Sequence, residues 1–321
     1  MATPIDEGAA RAARLATPAC IIALQAARLR FCLLEVGCGS RASFDAGHIP
    51  GAAYLDTGAL EFPPLWNKAD DAQLLALLLA HGIDAATTVI LYGRALLAPA
   101  RAAHLLLYAG VRDVRLLDGG LGAWQAAGGA SASGSGRMPR PLAHFGAPFP
   151  ARPDWLASLA RVQRIVKEGG AVLASIRTRA EFEGEVSGYS YIAARGDLPG
   201  ARWGRAGADG DVNSMCDYQD AAGKLLPLAA IAAMWQAQGI DRAAPVVFYC
   251  GTGWRASLAF FCACAMGWDQ IAVFDGGWLE WSRAAARAEA ARRSSARLAS
   301  AAPISQKVAG SGASPVSACP S

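Results

Sequence analysis

The residues best suited to chemistry lie together in Val246-Val247-Phe248-Tyr249-Cys250-Gly251-Thr252-Gly253-Trp254-Arg255-Ala256-Ser257. The apolar run reads as a buried strand that stops at the cysteine. After it come a short glycine-bearing loop and a helix expected from near Arg255 through Ala265. A cysteine at such a junction faces loop N–H groups and the positive end of a helix dipole, with Arg255 close by in sequence. All three favour thiolate over thiol. Gly251 and Gly253 let the backbone curl around the sulfur and aim its amides inward, forming a nest for an anion. The plainer alternative is that Cys250 is only a small apolar residue at a strand end, as many free cysteines are.

The elements that must position this loop occur twice. Tyr92 and Tyr249 lie 157 residues apart (249 − 92), and the same offset relates Gly110 to Gly267, Asp118-Gly119-Gly120 to Asp275-Gly276-Gly277, and Trp124 to Trp281. Upstream, Phe44 precedes Gly47-His48-Ile49-Pro50-Gly51-Ala52, and Phe182 precedes Gly196-Asp197-Leu198-Pro199-Gly200-Ala201. Each copy alternates short apolar runs with amphipathic stretches. Strands are expected at Phe31 to Val36, Val89 to Tyr92 and Val114 to Leu117, then at Val172 to Ile176, Val246 to Tyr249 and Ile271 to Phe274. Helices are expected near 70–81, 97–109, 155–168, 228–238 and 255–266. The fold class is α/β, with two tandem domains, each a parallel sheet covered by helices on both faces.

The expected division is an N-terminal domain over 1–128, a linker over 129–150, a C-terminal catalytic domain over 151–287 and a disordered tail over 288–321. The Gly128 to Gly136 stretch, rich in Gly, Ala and Ser, reads as a flexible surface connection, and the last segment is Ala/Arg/Ser-rich and then Gly/Ser/Pro-rich. Asp118 and Asp275 are expected to cap the helices after their turns, and Trp124, Trp278 and Trp281 to pack on those helices.

The 321 residues suffice for two ordinary domains. A formal net charge of +4, from scattered arginines rather than one basic block, does not imply a nucleic-acid partner. No apolar run approaches the length of a membrane span, and Asp6 and Glu7 stand where a secretory signal would be basic and then apolar; a cytoplasmic protein with no membrane partner is expected. The eight cysteines form no C-x-x-C pair, which speaks against a metal site and a disulfide framework. Cys262 and Cys264 read as helix filler, and Cys216 as incidental or as a resolving thiol. No cofactor is implied.

The chain resembles the rhodanese family, specifically its two-domain sulfurtransferases that use thiosulfate or 3-mercaptopyruvate. The matching pieces are Phe44-Asp45-Ala46-Gly47-His48-Ile49-Pro50-Gly51-Ala52, the Asp-Gly-Gly plus Trp of both copies, and Tyr249-Cys250-Gly251-Thr252-Gly253. The resemblance implies that only the C-terminal domain keeps the nucleophile, and Gly93 does stand at the position repeating Cys250. It further implies that Cys250 takes a sulfur from a small-molecule donor as a persulfide and yields it to a thiophilic acceptor such as cyanide, a small thiol or a protein cysteine. Gly251, Thr252, Gly253, Trp254, Arg255 and Ser257 are the expected binding residues, with backbone amides from Gly251 to Ser257 around the persulfide. Arg255 either meets an anionic donor or pairs with a carboxylate on its own helix or at the Asp275 turn. Trp254 either shapes the pocket mouth or is buried bulk, and His48 either serves its own turn or reaches the shared face.

Two departures leave the donor open. Trp254-Arg255 replaces the small residue and threonine that follow Cys-Gly-Ser/Thr-Gly in mercaptopyruvate-type relatives. Glu181 and Glu183 stand where animal-type enzymes place a substrate-binding arginine, so Arg177, Arg179 or Arg195 would have to substitute. Two alternatives are a persulfide carrier serving a protein partner and a dual-specificity phosphatase. The second needs Cys-x5-Arg, and Cys250 and Arg255 are one residue too close.

Overall fold

A computed structural model describes residues 6–300, without the side chains of 296–300. Two five-stranded parallel sheets carry the repeat. In the first the strand order is Leu15–Ala16, Asp113–Leu117, Thr88–Tyr92, Cys32–Gly37, Ala53–Asp56; in the second it is Leu156–Ala157, Ile271–Phe274, Val246–Tyr249, Val172–Ser175, Arg202–Trp203. The orders match position for position. Even the register repeats, since Leu15 pairs with Leu116 and Leu156 pairs with Val273, the residue 157 positions after Leu116. The apolar runs of the central strands, Val89 to Tyr92 and Val246 to Tyr249, are buried throughout, as a sheet covered on both faces requires.

The helices Leu97–Ala109 and Trp254–Ala265 are repeat equivalents, and they pack on each other between the two sheets. Every residue of Leu97–Ala109 is buried. A helix enclosed on all sides must be apolar all round or must pair its polar groups. Arg101 and His104 take the second course.

The two Asp-Gly-Gly turns do a different job from the expected capping. The Asp275 carboxylate accepts the Lys68 amide (2.7 Å) and the Arg101 guanidinium (2.5 Å), both from the first domain. Reciprocally, the Asp118 carboxylate accepts the Leu225 amide (2.9 Å) from the second domain, and the Arg11 guanidinium (2.6 Å). Lys68 and Leu225 are themselves 157 apart (225 − 68). Each domain therefore uses the same aspartate to grip the same backbone position of the other, and the internal repeat becomes an approximate two-fold interface.

The second glycine of each turn is fixed by packing. A Cβ on Gly277, at φ +51°, would lie 2.4 Å from the Cys250 carbonyl oxygen, and one on Gly120, at φ +56°, would lie 2.5 Å from the Gly93 carbonyl oxygen. Those carbonyls accept the amides of Trp278 (2.8 Å) and Leu121 (3.0 Å). Only a bare backbone lets the next helix approach the strand end this closely.

Other expectations need correction. The Gly128 to Gly136 connection is docked: His48 and Ala132 exchange amide hydrogen bonds, and Gly134 and Arg137 donate to the carbonyls of Asp45 and Ala52. Backbone pairing holds it where composition suggested freedom. The stretch 155–168 is a short strand, Leu156–Ala157, followed by the helix Leu159–Glu168. The last helix is Gly277–Ser300, so 288–300 is helical, and the rest of the expected tail lies outside the described residues. The edge strands Leu15–Ala16, Ala53–Asp56 and Arg202–Trp203 were not foreseen; with two to four residues each, they are too short to show a period.

Candidate active site

Cys250 ends the strand Val246–Tyr249, and Gly253, at φ +95°, turns the chain into the helix Trp254–Ala265. The helix ladder opens with the Ser257 amide donating to the Gly253 carbonyl, so the amides from Thr252 to Ala256 precede it and have no acceptor within the helix. The Cys250 and Gly251 carbonyls are drawn the other way, by the amides of Trp278 and Leu279.

Cys250 is only 1% exposed, yet it borders a cavity of about 640 Å³ between the domains. Thr252, Trp254 and Arg255 line the same space, joined by Tyr189 and Tyr191 of the second domain and by Glu61 and Trp66 of the first. Tyr189 hydroxyl accepts the Gly251 amide (3.1 Å), which removes that donor from any persulfide cradle. A Cβ on Gly251 would lie 2.2 Å from the Tyr189 ring. Tyr191 and Thr252 hydroxyls are 3.5 Å apart. Burial raises the pKa of both tyrosines, so they are neutral hydroxyls at physiological pH.

Arg255 is 1% exposed, and its partner is neither on its own helix nor at the Asp275 turn. Its terminal nitrogens donate to both oxygens of Glu181 (2.8 and 3.0 Å), and one also donates to the Tyr189 hydroxyl (2.6 Å). Burial alone would lower the Arg255 pKa, but Tyr189, Glu181 and Cys250 carry it above its ordinary value. Burial alone would raise Glu181, but the bonds and charge of Arg255 take it below the usual carboxylate range. Glu181 is thus the counter-ion of the arginine in the loop after Cys250. Arg255 Nε is buried without a hydrogen-bond partner.

Trp254 donates its indole N–H to Glu61 (2.5 Å), and Glu61 also accepts from Arg101 Nε (2.9 Å). Burial raises the Glu61 pKa against the pull of Arg101. The chain of contacts Trp254, Glu61, Arg101, Asp275 ties the loop to both domains.

The remaining expected residues lie elsewhere. Ser257 hydroxyl donates back to the Gly253 carbonyl (2.8 Å) and does not border the cavity. Arg177 is buried and holds the 187–197 loop through the carbonyls of Gly196 and Ser187. Arg179 pairs with Glu183 at the surface, Arg195 is exposed, and His48 stacks on Phe44 and bonds the Phe44 carbonyl within its own turn. None of these four lines the Cys250 cavity. Cys216 is exposed and away from it, and Cys262 is buried. Glu61, Trp66, Tyr189 and Tyr191 went unforeseen. The Tyr189-Ser190-Tyr191 pair, in a polar stretch ahead of Gly196-Asp197-Leu198-Pro199, was the one available signal.

Comparison with known families settles the class. The model of the rhodanese-like domain matches twice, over residues 29–127 and 158–284. The chain belongs to the rhodanese family. This rhodanese is 46% identical over 250 residues to the thiosulfate sulfurtransferase YnjE of Escherichia coli, covering 78% of this chain and 57% of that one. The crystal structure of YnjE superposes with a TM-score of 0.81, covering 84% of this chain and 66% of the other. This chain therefore spans little more than half the length of that relative. A probable 3-mercaptopyruvate sulfurtransferase of Pseudomonas aeruginosa is 32% identical, over 84% of this chain and 92% of its own. The anaerobic ergothioneine biosynthesis enzyme from Chlorobium limicola, solved with its natural substrate trimethyl histidine, matches with a TM-score of 0.81 and 34% identity, over 85% of this chain and 69% of that one. Among the described residues of this rhodanese, no helix is long and apolar enough to cross a membrane.

Proposed function

We propose that this chain is a sulfurtransferase that moves sulfur through a persulfide on Cys250. The observation that carries the reading is Cys250 on the wall of the interdomain cavity, at the mouth of a helix whose leading amides are outside the helix ladder. The Cys250 thiolate attacks the outer sulfur of thiosulfate; the S–S bond breaks, and sulfite leaves with the electron pair. With 3-mercaptopyruvate the C–S bond breaks instead, and the enolate left behind takes a proton to become pyruvate. An acceptor such as cyanide or a thiol then attacks the outer sulfur and returns Cys250 to thiolate. Thr252 hydroxyl and the free loop amides stabilise the persulfide anion, while Trp254 and Arg255 shape the cavity. The division into domains over 1–128 and 151–287, a cytoplasmic location and a protein thiol as acceptor are part of the same reading. The test is a steady-state comparison of thiosulfate and 3-mercaptopyruvate as donors, with mass spectrometry of the Cys250 peptide for one added sulfur. A phosphomonoester turned over without such an adduct would contradict it.

A second reading concerns the acceptor. Thiosulfate is a dianion, but the cavity's arginine is already neutralised by Glu181, and the carboxylates Glu61 and Asp56 line the same space as Trp66, Trp254 and Tyr191. Aromatic faces beside carboxylates suit a cation with apolar bulk. Trimethyl histidine, the substrate of the Chlorobium limicola neighbour, has that character. Incubating the Cys250 persulfide with trimethyl histidine and measuring loss of the added sulfur separates this acceptor from cyanide and small thiols.

A further inference from the structure

At the far end of the first sheet from Cys250, the amino ends of the strands Cys32–Gly37 and Ala53–Asp56 open on a cavity of about 820 Å³. Arg28, Arg30, Arg137 and Arg140 line it, together with His81, and its lining holds no aspartate or glutamate. All four arginines are exposed, and none has an ion-pair partner among the described residues. Asp84, outside the lining, feels the charge of Arg30.

Clustering four cations without a counter-ion opposes folding through their mutual repulsion, so the arrangement calls for an anion. It is also held ready for one. Arg137 is fixed by its amide to the Ala52 carbonyl and by its guanidinium to the Phe31 carbonyl (3.2 Å), and Leu142 is fixed by its amide to the Leu79 carbonyl. Arg140 packs against Gly82 so closely that a Cβ on that glycine would lie 2.7 Å from the Arg140 carbonyl oxygen. The backbone that presents Arg137 and Arg140 is therefore clamped at both ends, which lowers the ordering cost of binding. Guanidinium groups match the oxygens of phosphate in forked pairs.

The groove is not purely ionic. Leu29 is 59% and Met138 77% exposed on its rim, apolar surface that a ring system would cover. We infer that this groove binds an organic polyphosphate of nucleotide size, in a site separate from the sulfur-transfer cavity. Its volume falls within the range usual for small-ligand pockets, roughly 300–1,000 Å³.

The test uses the full chain and ATP, pyrophosphate and hexaglutamate as probes, titrated by calorimetry at near-physiological salt. Saturable ATP binding, tighter than that of pyrophosphate and weakening as salt rises, is the expected result. The double variant Arg30→Glu/Arg140→Glu should lower ATP affinity at least about tenfold, since each charge-assisted bond is worth that much or more. Persulfide loading of Cys250 should be unchanged in it, which also shows that the variant is folded. Absence of saturable ATP binding in the unaltered chain, ATP affinity indifferent to charge reversal or to salt, or tighter binding of hexaglutamate than of ATP would each overturn the inference.

Discussion

Arg255 and Glu181, 74 residues apart in the chain, meet as a two-point ion pair at the edge of the Cys250 cavity, both almost fully buried. The pair places a cation in the loop after Cys250 and cancels its charge from the neighbouring element. Glu181 is itself secured by the capping box at the start of the short helix Arg179–Phe182, where Thr178 and Glu181 serve each other's amides.

Removing half of that pair should be costly. In Glu181→Gln the buried guanidinium keeps its charge and loses its counter-ion, and the fold should lose roughly 3–5 kcal/mol in chemical denaturation. The cavity should also become more cationic, so the KM for thiosulfate should fall in assays run below the melting range. A variant as stable as the parent would show that the pair is not a buried one in solution.

The interdomain triad of Glu61, Arg101 and Asp275 gives a second prediction. Arg101 is fully buried between the two carboxylates, one from each domain. Arg101→Met leaves both acids buried without a cation and should destabilise the protein by roughly 3–5 kcal/mol. The triple variant Glu61→Gln/Arg101→Met/Asp275→Asn should recover most of the loss, because no buried charge remains. Additive losses across the three substitutions would refute this.

A third concerns pH. His104 lies on the fully buried helix and is held by the Trp155 carbonyl (3.1 Å); burial, helped by Arg101, pushes its pKa down to about 4. Because the folded value lies below the unfolded one, near 6.5, the unfolded chain takes up the proton first. The stabilisation is whole above about pH 6.5 and is lost as the pH falls to about 4, up to roughly 3 kcal/mol in all. Unfolding free energies measured across that interval should decline in the parent and decline less in His104→Gln. Identical slopes would contradict the assignment.

Much of this was legible in the sequence, and the reasons are physical. Cys250 stands at the end of a run of buried strand residues long enough to show its pattern, and the 157-residue offset relates Thr88–Tyr92, Leu97–Ala109 and Asp113–Leu117 to their second copies, while Cys32–Gly37 and Val172–Ser175 stand at a different spacing. What stayed hidden depends on contacts between distant segments. Nothing local in Glu61 marks it as a neighbour of Cys250, since it sits on a two-residue strand, Glu61–Phe62, that borders the cavity only once Leu97–Ala109 packs on Trp254–Ala265. Asp118 and Asp275 were visible as a motif, but their partners Leu225 and Lys68 contribute only backbone amides, which no sequence pattern records.

Intact-protein mass spectrometry after brief exposure to thiosulfate, without acceptor, tests the sulfur-transfer account most directly. The parent should gain one sulfur, located on the peptide containing Cys250 and removed by cyanide, while Cys250→Ser, with an unchanged melting curve, should gain none and turn over no donor. An adduct that persists in Cys250→Ser, or turnover in that variant near the parent rate, would contradict it.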